Sequence, residues 1–174
     1  VAGLQRRIAD LEKHANIDPL LDILNRRGFE RELRRAIAYV KRYSVSAALV
    51  YLDVDRLKPV NDTFGHAAGD AYLVAMAQAL ARSVRQSDTL ARLGGDEFVI
   101  LLWNINEHDA QIKAAALEDE VDALAISFEG QTIHAGISAG ITVLGPLDEV
   151  GDVLTRADKA MYQRKRARKT LRKI

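Results

Sequence analysis

Apolar residues recur along this chain with two different periods, and the alternation between them predicts its elements. Leu4, Ile8, Leu11 and Ala15 are spaced four, three and four apart, the a/d pattern of a helix able to pair with a copy of itself. Over only two heptads the same stripe is equally compatible with docking on the chain's own surface. Asn25 to Tyr43 reads as a helix whose apolar stripe is Phe29, Leu33, Ile37 and Val40. A continuous apolar strand over 46–54 follows, then a loop from Lys58 to Gly65, then a helix carrying Tyr72, Leu73, Met76, Leu80 and Val84. Leu90 to Leu93 and Phe98 to Trp103 flank Gly94-Gly95 and predict a β-hairpin, with the glycine pair expected to supply positive φ at its tip. A helix over about Glu107 to Leu124 comes next. From Ile133 to Val143 the period is two, which predicts one long strand. Gly136, Ser138 and Gly140 on its other face leave room for a helix to approach closely. Val150, Val153, Leu154, Ala157, Ala160 and Met161 mark a terminal amphipathic helix. Strands mixed with helices and a hairpin place the chain in the α/β or α+β class, with an antiparallel-containing sheet under packed helices.

Composition narrows the picture. A chain of 174 residues, 48% of them hydrophobic, is long enough for one well-buried core and short for two. It contains no cysteine, which removes disulfides and thiolate metal sites and fits a reducing, cytoplasmic location. No apolar run approaches the roughly 18 to 20 residues that span a bilayer, so no membrane contact is expected of this segment. Because it begins with Val1, the sequence is expected to be an excised piece, with a sensory or regulatory domain upstream in a larger protein, membrane-bound or not. A net charge of +1 hides a cationic end: Arg164, Lys165, Arg166, Arg168, Lys169, Arg172 and Lys173. Such a run complements a helix dipole. Without interleaved aromatics or a binding module it does not point to a nucleic-acid partner.

Two acidic clusters carry the chemistry. The apolar strand ends abruptly in Asp53-Val54-Asp55, and the hairpin tip holds Asp96 and Glu97. Carboxylates at the end of a buried strand are costly unless solvated, paired or bound to metal, so two such clusters suggest a shared cation site. Magnesium takes one or two carboxylates plus substrate phosphates, a requirement that Asp53 and Asp96 meet. A calcium loop is excluded because Lys58 stands where that loop needs glycine. There is no Gly-rich phosphate loop of the Walker type, and no histidine is at zinc-ligand spacing with another. His66 reads as a structural turn residue.

The chain resembles the GGDEF diguanylate cyclases. The resemblance rests on Asp18-Pro19-Leu20 with Asn25-Arg26-Arg27, then Asp53-Val54-Asp55-Arg56-Leu57-Lys58-Pro59-Val60-Asn61-Asp62, Gly65-His66-Ala67-Ala68-Gly69-Asp70 and Arg92-Leu93-Gly94-Gly95-Asp96-Glu97-Phe98. Ser138-Ala139-Gly140, Ala157-Asp158, Ala160-Met161-Tyr162 and Lys165 complete it. These blocks run in the family's order over about residues 16 to 169. The resemblance implies a ferredoxin-like palm, as in nucleotide cyclases, over 17–174, preceded by a stalk helix over 1–16. It implies that two GTP molecules become cyclic di-GMP across a homodimer, with two Mg²⁺ or Mn²⁺ ions per active site.

Residue by residue, the resemblance implies that Asp53, the Val54 carbonyl and Asp96 hold metal and that Glu97 assists deprotonation of the 3′-hydroxyl. It further implies that Asn61 and Asp70 bind guanine, that Lys58, Lys165 and Lys169 contact the triphosphate, and that Arg85 and Asp88 form an RxxD site for inhibition by cyclic di-GMP. Each has a plainer reading: a helix cap for Asn61, a solvated first-turn acid for Asp70, an intrahelical ion pair for Arg85 and Asp88, a solvated stripe for the lysines. A catalytically inactive module that only binds GTP or cyclic di-GMP is the rival function, and it predicts a damaged metal or guanine set, which is intact here. The chain departs from the family at Leu20-Leu21-Asp22-Ile23, at Leu57 and at Arg168-Lys169-Thr170, the last of which bears on Lys169.

Overall fold

The structure is a computed structural model and describes residues 1–171, so Arg172 and Lys173 of the basic run lie outside the described residues. Its elements are α1 (Ala2–Asn16), α2 (Arg26–Tyr43), β1 (Ala47–Val54), α3 (Leu57–Phe64), α4 (His66–Ser83), β2 (Thr89–Gly94), β3 (Glu97–Trp103), α5 (Glu107–Asp122), β4 (Ala125–Phe128), β5 (Gln131–His134), β6 (Ile137–Val143) and α6 (Val150–Leu171). The main sheet has the order β2-β3-β1-β6, with every neighbouring pair antiparallel. This is the ferredoxin-like arrangement that the resemblance implies; periodicity alone reached only the α/β or α+β class. β1, the most continuously apolar strand, lies inside the sheet, as a strand buried on both faces must.

Successive residues of β1 point to opposite faces and feed two separate cores. Val50, Leu52 and Val54 pack with Phe98 and Ile100 against Tyr72 and Met76 of α4 and Leu117 of α5. Leu49 and Tyr51 pack with Val99 and Leu101 against Phe29 and Leu33 of α2 and Val153, Ala157 and Met161 of α6. The predicted stripe of α2 is buried, and Asn25 caps that helix by accepting from the Gly28 N–H at 3.0 Å.

Four sequence expectations are corrected. The loop from Lys58 to Gly65 is helix α3. A left-handed Arg56 (φ 66°) ends β1 and turns the chain, and Pro59 falls in the first helical turn, where its missing N–H costs nothing. The long strand from Ile133 to Val143 is two strands in two sheets. At the break, Gly136 accepts from the Asp55 N–H at 2.8 Å and donates to the Tyr72 hydroxyl at 3.2 Å, which diverts the chain. The first half pairs instead with β4 around Glu129-Gly130, both at positive φ, a two-residue turn suited to strand twist. Neither Gly94 nor Gly95 has positive φ, so the turn does not demand glycine for its conformation. The apolar stripe of α1 does not dock on the chain's own surface: Leu4, Ile8 and Leu11 are 70%, 52% and 65% exposed. Among the described residues no helix is long and apolar enough to cross a membrane.

Each edge of the main sheet is partly covered. Outside β2, the Leu24 carbonyl accepts from the Arg92 N–H at 2.8 Å. Outside β6, the Glu118 carboxylate accepts from the Ala139 N–H at 2.9 Å. The small face expected around Gly140 is used as predicted: a Cβ there would lie 1.9 Å from the Met161 nitrogen, in the backbone of α6. Gly140→Ala is therefore expected to destabilise the fold by at least about 1–3 kcal/mol, the range for overpacking. Urea unfolding checks this, and an unchanged midpoint contradicts it.

Candidate functional site

The acids converge where β1 meets the hairpin turn. Asp53 lies directly opposite Glu97 in the β1–β3 pairing, and the Val54 N–H donates to the Asp96 carbonyl at 2.8 Å. Opposed residues of an antiparallel pair share a face. Asp53 and Glu97 therefore point toward the α2 and α6 side, with Tyr51 two residues earlier. From α6, the Lys165 Nζ donates to Asp53 Oδ1 at 2.6 Å, both side chains largely buried.

The electrostatics of this junction are unbalanced. Burial raises the Asp53 carboxyl above its ordinary value; the Lys165 ammonium pulls it down, and Asp96 and Asp55 push it up further. Burial works against the charge of Lys165, yet its hydrogen bond to Asp53 and the charges of Asp53, Asp55 and Asp96 together raise its pKa. Asp53 shifts upward chiefly because it is buried, and Lys165 because its acidic neighbours outweigh the burial that opposes its charge. The Tyr51 phenol is likewise raised, by burial first and then by Glu97 and Asp158.

Two arginines hold the turn that carries Asp96. Arg92 donates from Nε and Nη2 to the Gly95 carbonyl at 3.1 and 2.8 Å and from Nη1 to Asp18 Oδ2 at 3.2 Å. Asp18 Oδ1 in turn accepts from the Leu20 and Leu21 N–H groups, and Arg26 Nε donates to the Leu93 carbonyl at 3.3 Å. The Asp18 and Asn25-Arg26 blocks of the sequence thus brace the hairpin. A Cβ at Gly94 or Gly95 would meet nothing within 4 Å. These glycines leave the surface beside the acids open, as the sequence reading expected of a turn facing a ligand.

The other predicted residues are placed less uniformly. Asn61 lies within α3 and does not cap it with its side chain. Its Oδ1 would be 1.7 Å from a Cβ on Gly69, so the two helices meet through that amide. Asp70, the next residue on α4, is exposed. Lys58 is exposed and pairs with Asp62 at 3.1 Å; it is not brought to Asp53. Lys169 lies one turn beyond Lys165 on α6 and is exposed. The ion-pair reading of Arg85 and Asp88 is corrected: α4 ends at Ser83, and Asp88 instead accepts from the Arg85 and Trp103 N–H groups at 3.0 and 3.1 Å. Trp103 opposes Ala47, so this turn lies at the far end of β1, about 20 Å from Asp53 at roughly 3.3 Å per residue.

Among the described residues no group of three or more His, Cys, Asp or Glu side chains forms a metal cage. The oxygen donors of Asp53, Asp96 and the Val54 carbonyl, with surplus negative charge around them, fit a hard divalent cation that completes its shell from water or phosphate. Sequence reasoning assigned no role to four neighbours of the site. Tyr51 was discoverable from period two, since it shares the face of Asp53. Arg92 and Asp18 form an ion pair across 74 residues that no local pattern announces. Ser138 opposes Asp53 on β6, and its buried hydroxyl has no hydrogen-bond partner.

Comparison with known proteins gives a consistent result. The family model described as "Diguanylate cyclase, GGDEF domain" matches residues 15–170. The probable diguanylate cyclase DgcE of Escherichia coli K12 is 38% identical over 166 residues, 95% of this chain and 15% of that protein. Diguanylate cyclase DgcP of Pseudomonas aeruginosa is 35% identical over 160 residues, 92% of this chain and 24% of that protein. The chain thus spans under a quarter of the length of these two relatives. The coiled coil and GGDEF domain of DgcB from Caulobacter crescentus, solved in complex with c-di-GMP, superposes with a TM-score of 0.88 at 26% identity, covering 95% of this chain and 88% of that one.

The charge imbalance has a measurable consequence. The native state holds the Asp53 proton above the ordinary value of 3.8, so ionising Asp53 removes stability as pH rises from 3.8 through that raised value. Wild type should therefore lose melting temperature relative to Asp53→Asn as pH rises from about 4 toward 7, whatever the offset left by unpairing Lys165. A difference between the two that stays constant over that range would contradict this.

Proposed function

The chain belongs to the GGDEF family of diguanylate cyclases, and from that premise we propose that it condenses two GTP molecules into cyclic di-GMP and two pyrophosphates. The observation that carries this reading is the junction of Asp53, Asp96, Glu97 and Lys165 at one open end of the sheet. Each ribose 3′-hydroxyl attacks the α-phosphorus of the other nucleotide. The bond from that phosphorus to the β-phosphate bridging oxygen breaks, and pyrophosphate leaves with the electron pair. Glu97, beside Asp53, takes the hydroxyl proton. Asp53, the Val54 carbonyl and Asp96 would hold magnesium or manganese, two ions per active site, whose charge offsets the negative charge that builds on the phosphoryl oxygens. Lys165, with Lys58 and Lys169, contacts the triphosphate.

Asn61 and Asp70 recognise guanine. A carboxylate accepts from the N1 and N2 protons of guanine, and adenine leaves these partners unmatched, which can discriminate by about 10⁴-fold. One domain holds one GTP, so two copies must face each other. The exposed stripe of α1 supports pairing of the 1–16 stalk to bring the 17–174 catalytic domains together. Arg85 and Asp88 form a separate site for product inhibition; their distance from Asp53 lets cyclic di-GMP act there without entering the metal site. The whole protein carries a sensory or regulatory domain N-terminal to this segment, and the segment works in the cytoplasm.

Purified chain at high concentration, incubated with GTP and Mg²⁺, is expected to yield cyclic di-GMP by chromatography, with no condensation of ATP and no product from Asp53→Ala or Asp96→Ala. Activity per chain should rise with protein concentration; constant activity in a sample shown to be monomeric would overturn the two-copy mechanism. Gly69→Ala forces the Asn61 amide from its place. It should raise KM for GTP while melting close to wild type, and an unchanged KM would remove Asn61 from the guanine site.

A further inference from the structure

The end of α6 carries two parallel pairs of cationic side chains, each four residues apart and so stacked along the helix. Lys165 and Lys169 form one. Arg164 and Arg168, turned about 100° from them around the axis, form the other, and both arginines end on a single carboxylate. Glu118 of α5 accepts from Arg164 Nε at 3.0 Å on each oxygen and from Arg164 Nη2 at 2.5 Å. It also accepts from Arg168 Nη1 at 2.9 Å and from the Ala139 N–H of β6 at 2.9 Å. The Glu118 side chain is only 2% exposed. Arg168 reaches further, to Asp122 at 2.6 Å. The last apolar anchor of α6 in the core is Met161, so the turns that bear Lys165 and Lys169 extend beyond the hydrophobic packing. Glu118 ties them to the domain through two arginines, beside the single Lys165–Asp53 and Arg168–Asp122 pairs.

We propose that Glu118 is a positioning residue for triphosphate binding: through Arg164 and Arg168 it fixes the axial rotation of the end of α6 and thereby aims Lys165, and beyond it Lys169, at the phosphates. This rests on the reading of those lysines as phosphate contacts. A side chain fixed in advance loses less freedom when it binds. The neighbouring arginines supply that constraint without themselves facing Asp53.

Calorimetric titration of the chain with a non-hydrolysable GTP analogue and with GMP, both with Mg²⁺, separates this role from simple stabilisation. Glu118→Gln keeps the shape of the side chain and removes its charge. It should weaken the triphosphate by about 10-fold, the lower range for loss of an orienting partner, and leave GMP within about twofold. On a Lys165→Met background the same change should add little, because the two residues act in series. Equal weakening of both nucleotides, or an unchanged triphosphate affinity in a folded variant, would overturn the proposal. If Lys165→Met alone leaves the GTP-to-GMP affinity ratio unchanged, the phosphate reading of Lys165 itself is wrong and this role falls with it. Should circular dichroism find Glu118→Gln unfolded, Arg164→Gln, at a half-exposed position, is measured in the same way and must show the same selective loss.

Discussion

Mutual repulsion among Asp53, Asp55 and Asp96 is the constraint around which the rest of the structure is arranged. Left free, these groups would move apart. They are held together because each sits on backbone that something else fixes. Asp53 rides on the inner strand β1. Asp55 is anchored through its own N–H and carbonyl to Gly136 and Tyr72. Asp96 is carried by a turn whose carbonyls are gripped by Arg92 and Arg26. The stability lost at this corner is offset by two apolar cores, one on each face of the sheet.

The sequence made the hydrophobic skeleton legible because each face of each element repeats with its own period. The stripes of α2, α4 and α6 and the continuous run of β1 follow from spacing alone. Where backbone hydrogen bonds overrule the side-chain pattern, periodicity fails. From Ile133 to Val143 the alternation is regular, yet Gly136 is captured by Asp55 and Tyr72 and the strand is split. Helix α3 was hidden because its start depends on a left-handed Arg56, which no composition rule anticipates.

The site shows the same division. Asp53, Asp96 and Glu97 announced themselves as charges at the ends of apolar runs, whereas Lys165, on a stripe that reads as solvated, stood out only through the family resemblance. What holds them is long-range and has no local signature: Asp18 with Arg92, Glu118 with Arg164 and Arg168. Gly94 and Gly95 were expected to serve both the turn and the ligand. Their φ values leave the second role standing, since a side chain at either would project into open space.

The partial cover of both sheet edges also bears on how this chain behaves in a crowded solution. An uncovered edge strand offers a ladder of unpaired amides to any neighbouring chain, the usual start of fibrous aggregation. Here Leu24 lies along β2, and the charged Glu118 stands against β6, with Arg156 capping the Val143 carbonyl at 3.2 Å. Each of these contacts occupies a backbone group of an edge strand that another copy of the chain would otherwise need for strand addition.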